Sequence, residues 1–212
     1  MRIIARNPAN PTRRAPRDGF PITVRPTATD ITIANAIARN TEPAPESVAR
    51  ALTWGADEKV LLTLALVGWL ASRGHGEPLR RAGNHALLTS VAASLLPHVL
   101  KTMFNQTRPD RTTILGHIHG VSFSGKREDA FPSGHALHMG ALASAAGTLP
   151  PGPRVAVQTI AVGLSLTRIV VLAHWASDVI VGFALGAVLE RLLRLWTGYP
   201  LKTSKQNDHA NS

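Results

Sequence analysis

Beyond residue 58 the sequence consists of long apolar stretches that carry almost no charge. Residues 82–100 contain no aspartate, glutamate, lysine or arginine, and between 155 and 189 only Arg168 and Asp178 are charged. The alternation of polar and apolar residues that marks a half-buried strand is absent. Turns rich in glycine and proline separate the stretches. The pattern predicts an all-α bundle of about five to six helices, with main helices at about 59–72, 83–102, 133–149, 154–172 and 175–196.

The length and flanking charge of these stretches favour a transmembrane bundle. A spanning helix needs about 20 mainly apolar residues, and residues 82–100 reach that length. The last two helices qualify if their single charges lie inside the bundle or at the interface. If the helices alternate in direction, the basic residues of their connections lie on one side, as the positive-inside rule expects. These residues are Arg73, Arg80, Arg81, Arg154, Arg191, Arg194, Lys202 and Lys205.

Residues 1–58 form a polar segment that differs from the rest of the chain. It is rich in proline, arginine and threonine and lacks the apolar region of a signal peptide. Two short amphipathic helices are predicted in it, one capped by Asp30 and one from Glu46 to Trp54. With five spans this basic segment would lie on the non-cytoplasmic face, so either it enters the membrane or the first apolar stretch does not span. We expect a helical domain at 59–198 and a disordered tail at 199–212.

The charge of the chain favours anionic partners. Lysine and arginine number 23 against 13 aspartate and glutamate residues, a net charge of +10. Such a balance suits nucleic acid, anionic lipid or phosphorylated substrates. Nucleic acid is disfavoured because the basic residues are not interleaved with aromatic ones. The absence of cysteine excludes disulfides, thiolate metal sites and thiol nucleophiles.

Three groups of polar residues interrupt the apolar pattern, and the first is KTMFNQTRPD. In it Lys101 and Arg108 lie seven residues apart. They share a helix face if the helix continues that far, but Pro109 places Arg108 at a helix end. Two solvated cations are the alternative interpretation.

The second group is FPSGHALH, at residues 131–138. Pro132 and Ser133 form a favourable helix start, in which the serine accepts a hydrogen bond from a free backbone N–H group. The same free N–H groups and the helix dipole make an anion site. The segment is therefore either an ordinary cap with an incidental histidine or part of a phosphate site.

The third group is TRIVVLAHWASD, which contains Arg168, His174 and Asp178. A charge kept in an apolar region needs a partner or a function. His174 and Asp178 are four residues apart, so their side chains can meet on one helix face. An Asp178 bonded to one imidazole nitrogen would leave the other free as a base or nucleophile. The alternative is a pair that only anchors a buried helix.

In an alternating bundle these three groups meet at the same end. The second main helix ends at the first group, the third begins at the second, and the fourth and fifth join at the third. Three cations, two histidines and one carboxylate would then surround a common space, which fits chemistry on a tetrahedral oxyanion.

The spacing K-x6-RP, PSGH and R-x5-H-x3-D resembles the three-part signature of the type 2 phosphatidic acid phosphatase and vanadium haloperoxidase superfamily. The motifs cover residues 101–178, and the helical pattern extends the resemblance to about 59–196. Thr167 stands where the family usually has serine before the arginine of the third motif, and it keeps the hydroxyl group.

The resemblance implies a role for each motif residue. His174 would attack phosphorus, Asp178 would orient and stabilise His174, and His135 would protonate the leaving oxygen and later assist water. The phosphate oxygens would be bound by Lys101, Arg108, Ser133, Gly134 and Arg168. The resemblance implies neither a metal nor another cofactor.

The implied activity is metal-independent hydrolysis of a phosphomonoester or diphosphate on a lipid-like substrate, through a phosphohistidine. The expected location is the cell inner (plasma) membrane, with the site facing away from the cytoplasm. Candidate substrates are phosphatidic acid, phosphatidylglycerol phosphate, a polyprenyl diphosphate and a lipid A phosphate. The alternatives are a vanadate-dependent haloperoxidase and a non-catalytic protein that binds anionic lipid. The sequence does not predict the oligomeric state.

The remaining histidines have simpler interpretations. His117 and His119 have the spacing of a metal pair, but no carboxylate lies near them, so no metal site is expected. His138 is predicted to pack between helices or to support His135. His85 and His98 are predicted to be structural.

Overall fold

The computed structural model describes residues 22–40, 42–112 and 128–200. Two N-terminal helices, α1 (Ala28–Asn40) and α2 (Pro43–Leu52), precede the five helices of the bundle: α3 (Glu58–Ser72), α4 (Glu77–Met103), α5 (Gly134–Ala145), α6 (Pro151–Val170) and α7 (Ala176–Thr197). Short 3-10 helices lie at Thr53–Ala56, Pro109–Arg111 and Ala146–Thr148. The expected all-α architecture is confirmed. The predictions for the first 21 residues, for His117 and His119, and for most of the C-terminal tail fall outside the described residues.

Two local features differ from the sequence prediction. Helix α4 begins at Glu77, six residues before the predicted start at 83, because Pro78 suits the first turn of a helix and Glu77 pairs with Arg81 one turn on. A short parallel strand pair joins β1 (Ile22–Thr23) to β2 (Phe104–Asn105). This pair connects the N-terminal segment to the end of α4.

Helix α1 is fixed at its start by a reciprocal pair of hydrogen bonds. The backbone N–H of Thr27 donates to the Asp30 carboxylate at 2.9 Å, and the Asp30 N–H donates to the Thr27 hydroxyl at 3.1 Å. Asp30 therefore occupies the first turn, and Thr27 takes the capping position that the sequence assigned to Asp30. Residues Ala34 and Ala38 of α1 pack with Trp175 in a buried cluster.

Helices α5 and α7 run parallel and touch through glycines. A Cβ atom at Gly182 would lie 2.5 Å from the carbonyl oxygen of Ser133. A Cβ atom at Gly186 would collide with the carbonyl of Leu137, and one at Gly140 with the carbonyl of Phe183. The two backbones are thus closer than any larger residue would allow. This contact sets the distance between the N-termini of α5 and α7.

Large apolar side chains face outward on most of the long helices. Exposed examples include Leu64 and Leu70 on α3, Leu95 on α4, Ile160 on α6 and Leu192 on α7. Helix α5 lies inside, and its buried residues are mainly small. Within the described residues, α4 is the one helix both long and apolar enough to cross a membrane, and 22% of its apolar window is buried. Extended exposed apolar surfaces of this kind mark contact with a membrane or a partner.

A buried polar cluster ties three helices together at the opposite end from β2. His85 of α4 bonds the carboxylate of Glu190 at 3.0 Å, and Ser144 donates to the same carboxylate at 2.5 Å. Arg194 pairs with Glu190 at 2.7 Å. Each charged group has a partner, so the cluster satisfies the requirement for buried charges. His85 is structural, as predicted.

Candidate active site

The three motifs meet at one end of the bundle, as the alternating arrangement predicts. Electrostatic interactions join the His174 ring to Arg108, Arg168, Lys101 and His135. His135 in turn interacts with the same three cations. The predicted group of cations and histidines therefore forms one cluster.

Lys101 and Arg108 reach the cluster from different backbone elements. Helix α4 ends at Met103, and Arg108 follows in extended conformation just before Pro109. The two residues are therefore not two turns of one helix. Arg108 is 4% exposed, and its Nη1 donates to the carbonyl of Ala173 at 2.8 Å. That bond fixes the guanidinium group beside the loop that carries His174.

The segment PSGH forms the N-terminus of α5. Ser133 is the cap residue, and its side chain accepts a hydrogen bond from Ala136 N–H at 3.4 Å. Gly134 and His135 occupy the first turn, where backbone N–H groups lack helical partners. His135 is partly exposed. The start of α5 therefore combines anion-binding N–H groups with an accessible imidazole.

Arg168 is the most deeply buried cation of the cluster, with 2% of its surface exposed. Its Nε atom is buried and has no hydrogen-bond partner within the described residues. The Arg168 carbonyl accepts from the N–H groups of Ala173 and His174, at 3.1 and 3.2 Å. The residue thus shapes the loop that carries His174 and directs an unsatisfied guanidinium donor into the protein. A buried donor of this kind is normally paired, and an anion would satisfy it.

His174 is oriented by a backbone carbonyl. Its Nδ1 atom lies 2.6 Å from the carbonyl oxygen of Ala130, so Nδ1 carries the proton and Nε2 keeps its lone pair. The Asp178 carboxylate is 3.8 Å from Nδ1, beyond hydrogen-bond range. The expected hydrogen bond from His174 to Asp178 is therefore absent, and the bond to the Ala130 carbonyl takes its place. Burial and the charges of Arg108 and Arg168 hold the pKa of His174 well below its usual range, which keeps the ring neutral.

Asp178 is fully buried and belongs to the start of α7. Its Oδ2 atom accepts from the Trp175 N–H at 2.9 Å, which explains why it does not reach His174. The Gln106 side chain, with its nitrogen facing the carboxylate, donates to Oδ1 at 2.5 Å. The Asp178 carbonyl accepts from Ser133 N–H at 3.3 Å. Asp178 therefore joins the first and second motifs to α7.

Sequence reasoning missed three residues around this cluster. Gln106 bonds Asp178, as described above. Asp30 is 2% exposed and accepts from the backbone N–H and the hydroxyl of Ser177, at 2.9 and 2.8 Å. Asp129 pairs with Lys101 and Arg108. Gln106 belongs to the first motif and Asp129 lies two residues before the second, but nothing in their spacing indicates these partners.

The Thr167 hydroxyl points to neighbouring helical backbone. It donates to the Leu164 carbonyl at 2.6 Å and lies 3.1 Å from the Thr53 hydroxyl. Its partners are therefore within the protein. His138, one turn after His135, bonds Ser94 at 3.1 Å and links α5 to α4, as predicted for a packing residue.

Chemically, the cluster offers two imidazole rings and a set of oxyanion donors. His174 presents a neutral ring whose free nitrogen is Nε2. His135 is the second imidazole, and the cations and the first N–H groups of α5 can neutralise several oxygens at once. Preorganised donors of this type stabilise the charge that develops during phosphoryl transfer.

Comparison with known proteins gives one family. Residues 83–202 match the model of the PAP2 superfamily. Two curated relatives are lipid A 1-phosphatases: that of Rhizobium johnstonii is 40% identical over 106 residues, 50% of this chain and 43% of the relative. That of Rhizobium etli is 39% identical over 105 residues, 49% of this chain and 45% of the relative. This chain thus spans less than half the length of these relatives.

Two solved structures share the fold. The transmembrane PAP2-type phosphatidylglycerolphosphate phosphatase of Bacillus subtilis superimposes with a TM-score of 0.68 at 22% identity, over 84% of this chain and 88% of that one. Aquifex aeolicus LpxE superimposes with a TM-score of 0.63 at 20% identity, over 79% of this chain and 95% of that one.

Proposed function

Because this chain belongs to the PAP2 superfamily, we propose that it is a membrane phosphatase that hydrolyses a lipid phosphate through a phosphohistidine at His174, without a metal ion. The observation that carries the proposal is the buried Arg168 guanidinium, whose Nε lacks a partner within the described residues. It lies in the same cluster as Lys101, Arg108 and the neutral His174 ring. In this proposal a phosphate oxygen is the partner of that Nε atom.

The proposed reaction has two steps. Lys101, Arg108, Arg168, Ser133 and the Gly134 N–H hold the phosphate oxygens. His174 Nε2 attacks phosphorus, the bond to the leaving oxygen breaks, and His135, which enters the step as the imidazolium, gives that oxygen its proton and becomes neutral. His135 then takes a proton from water as the water attacks phosphorus. The P–N bond breaks and inorganic phosphate leaves.

The Ala130 carbonyl has a defined part in this sequence. Its bond to the Nδ1 proton fixes the ring with Nε2 available, at a distance of 2.6 Å. Phosphorylation makes the imidazole cationic, and the nearby Asp178 carboxylate, 3.8 Å from Nδ1, stabilises that charge. Asp178 thus acts on the intermediate by charge rather than by holding the tautomer.

We propose lipid A carrying a 1-phosphate as the first substrate to test, because both curated relatives carry that activity in their names. The remaining candidates are phosphatidic acid, phosphatidylglycerol phosphate and polyprenyl diphosphate. The proposed location is the inner membrane, with the site facing away from the cytoplasm. Arginines of the α3–α4 connection and of the α7 end lie at the opposite end of the bundle, which fits the positive-inside rule.

The test is phosphate release from these lipids in detergent with EDTA present. The expected result is release that tolerates EDTA and is lost in His174→Ala. His98→Ala is the matched control, because His98 is an exposed histidine that bonds the carbonyl of Ser94 within α4. Release that needs an added divalent cation contradicts the metal-free mechanism. Unchanged release from His174→Ala contradicts the phosphohistidine, and vanadate-dependent halide oxidation would indicate a haloperoxidase.

A further inference from the structure

The Asp129 carboxylate already contacts two of the cations that the proposed function assigns to the phosphate. Asp129 Oδ1 lies 3.1 Å from Arg108 Nη2, and Asp129 Oδ2 lies 3.8 Å from Lys101 Nζ. The Asp129 and Lys101 side chains are 26% and 24% exposed, whereas that of Arg108 is 5% exposed. Asp129 and Lys101 are therefore equally accessible to solvent, Arg108 is buried, and the carboxylate contacts donors that a phosphate oxygen could bind.

The backbone of Asp129 is held on both sides. Gln106 N–H donates to the Glu128 carbonyl at 2.9 Å, and Ala130 N–H donates to the Gln106 carbonyl at 3.1 Å. The next carbonyl, that of Ala130, orients His174. A large displacement of this segment would disturb His174, so Asp129 can leave the cations only by rotation of its side chain.

A carboxylate and a phosphate compete for the same donors. Both are oxyanions that bind guanidinium and ammonium groups through short, charge-assisted hydrogen bonds. Arg108 Nη1 is bonded to the Ala173 carbonyl, and the Nη2 atom that contacts Asp129 is on the other branch of the guanidinium group. Two anions on one donor repel each other, so a phosphate that binds Nη2 and Lys101 requires the carboxylate to withdraw.

We propose that Asp129 is a positioning residue that competes with phosphate for Lys101 and Arg108 and thereby promotes release of the product. The proposal rests on the proposed phosphatase function. When no phosphate is bound, the Asp129 carboxylate reduces the repulsion between Lys101 and Arg108 and holds their side chains in place. When phosphate is the only ligand left after hydrolysis, the carboxylate returns to them and the product leaves. Without Asp129, the site retains phosphate.

The test is direct binding of inorganic phosphate to the full chain in detergent, measured by titration calorimetry. Asp129→Asn is expected to bind phosphate on the order of tenfold more tightly than the wild type, since it removes one competing charge contact. Product inhibition by phosphate should strengthen by the same factor, and KM should fall while kcat does not rise. Asp129→Glu, which keeps the charge, is expected to bind phosphate as the wild type does.

Glu128→Gln is the matched control because it removes the same charge one residue earlier, at an exposed side chain. It is expected to leave phosphate binding unchanged. Asp129→Ser replaces Asp129→Asn if the latter does not fold. Equal or weaker phosphate binding by the neutral variants overturns the proposal and means that the carboxylate only orders the cations. Phosphate binding is measured without turnover, so it tests the role of Asp129 separately from the phosphatase activity. A wild type that releases no phosphate from lipids contradicts the proposed function instead.

Discussion

Replacement of Gly182 by alanine should separate the two halves of the catalytic cluster without touching any catalytic side chain. The new Cβ atom would lie 2.5 Å from the Ser133 carbonyl oxygen, whereas ordinary contact begins at 3.4 Å. The start of α5 must therefore move by about 0.9 Å relative to α7. A misplacement of about 1 Å costs on the order of 100-fold in rate, and overpacking costs roughly 1–3 kcal/mol of stability.

The assay is kcat/KM for phosphate release by folded, monodisperse protein, with the thermal midpoint measured in the same detergent. Gly163→Ala is the control, because a Cβ atom there has no heavy atom within 4 Å. Alanine at that helical site should leave the rate unchanged and stabilise the protein by about 0.5–1 kcal/mol. If Gly182→Ala and Gly163→Ala were equally active, the spacing of α5 and α7 would not control the chemistry, and the reasoning would be refuted.

Three further predictions follow from the hydrogen bonds and charges of the cluster. The folded-state pKa of His174 is lowered, so below an unfolded-state pKa of about 6.5 the unfolded chain binds more protons than the folded one, and stability falls as the pH falls. Between pH 7 and pH 5 the thermal midpoint should therefore drop less in His174→Gln than in the wild type, and an equal drop would contradict this. Gln106→Leu removes a donor to the buried Asp178 carboxylate, so kcat should fall roughly tenfold. His138→Leu, which removes a buried polar side chain that does not contact Asp178, is the comparison variant. Thr167→Val should cost about 1 kcal/mol of stability and leave phosphate affinity unchanged, because the hydroxyl bonds Leu164; a loss of phosphate affinity would instead indicate a phosphate contact.

The positions of the helices and the end at which the motifs meet could be predicted from the sequence. Apolar stretches between turns define α3 and α5–α7 to within a few residues, and alternation of direction brings Lys101, His135 and His174 to one end. These features depend on local pattern and chain direction. The early start of α4 was missed because the charges at Arg80 and Arg81 resemble a connection.

The partners that orient the site could not be predicted in the same way. The Ala130 carbonyl reaches His174, and Asp129 reaches Arg108, because residues 128–130 pair with Gln106. This pairing is a contact between distant, irregular segments, and irregular segments have no periodicity. The sequence placed Asp178 against His174 from helical spacing alone, whereas Trp175 N–H competes for the same carboxylate oxygen.

The bond between Asp30 and Ser177 was missed for a related reason. A carboxylate in the first turn of a short helix is normally explained by its own helix, and Asp30 does bond Thr27. The same carboxylate also accepts a hydrogen bond from Ser177 of α7, 147 residues away in sequence. Only the packing of α1 against Trp175 brings the two together.

The most direct test of the account is identification of the phosphorylated residue during turnover. Wild-type protein is mixed with a lipid phosphate labelled on the phosphate, quenched in alkali, digested and examined by mass spectrometry. Phosphohistidine is stable to alkali and labile to acid, and the label is predicted on His174 and absent from His174→Ala. Steady phosphate release with no label on His174, or with the label on another residue, would contradict the assignment of His174 as the nucleophile.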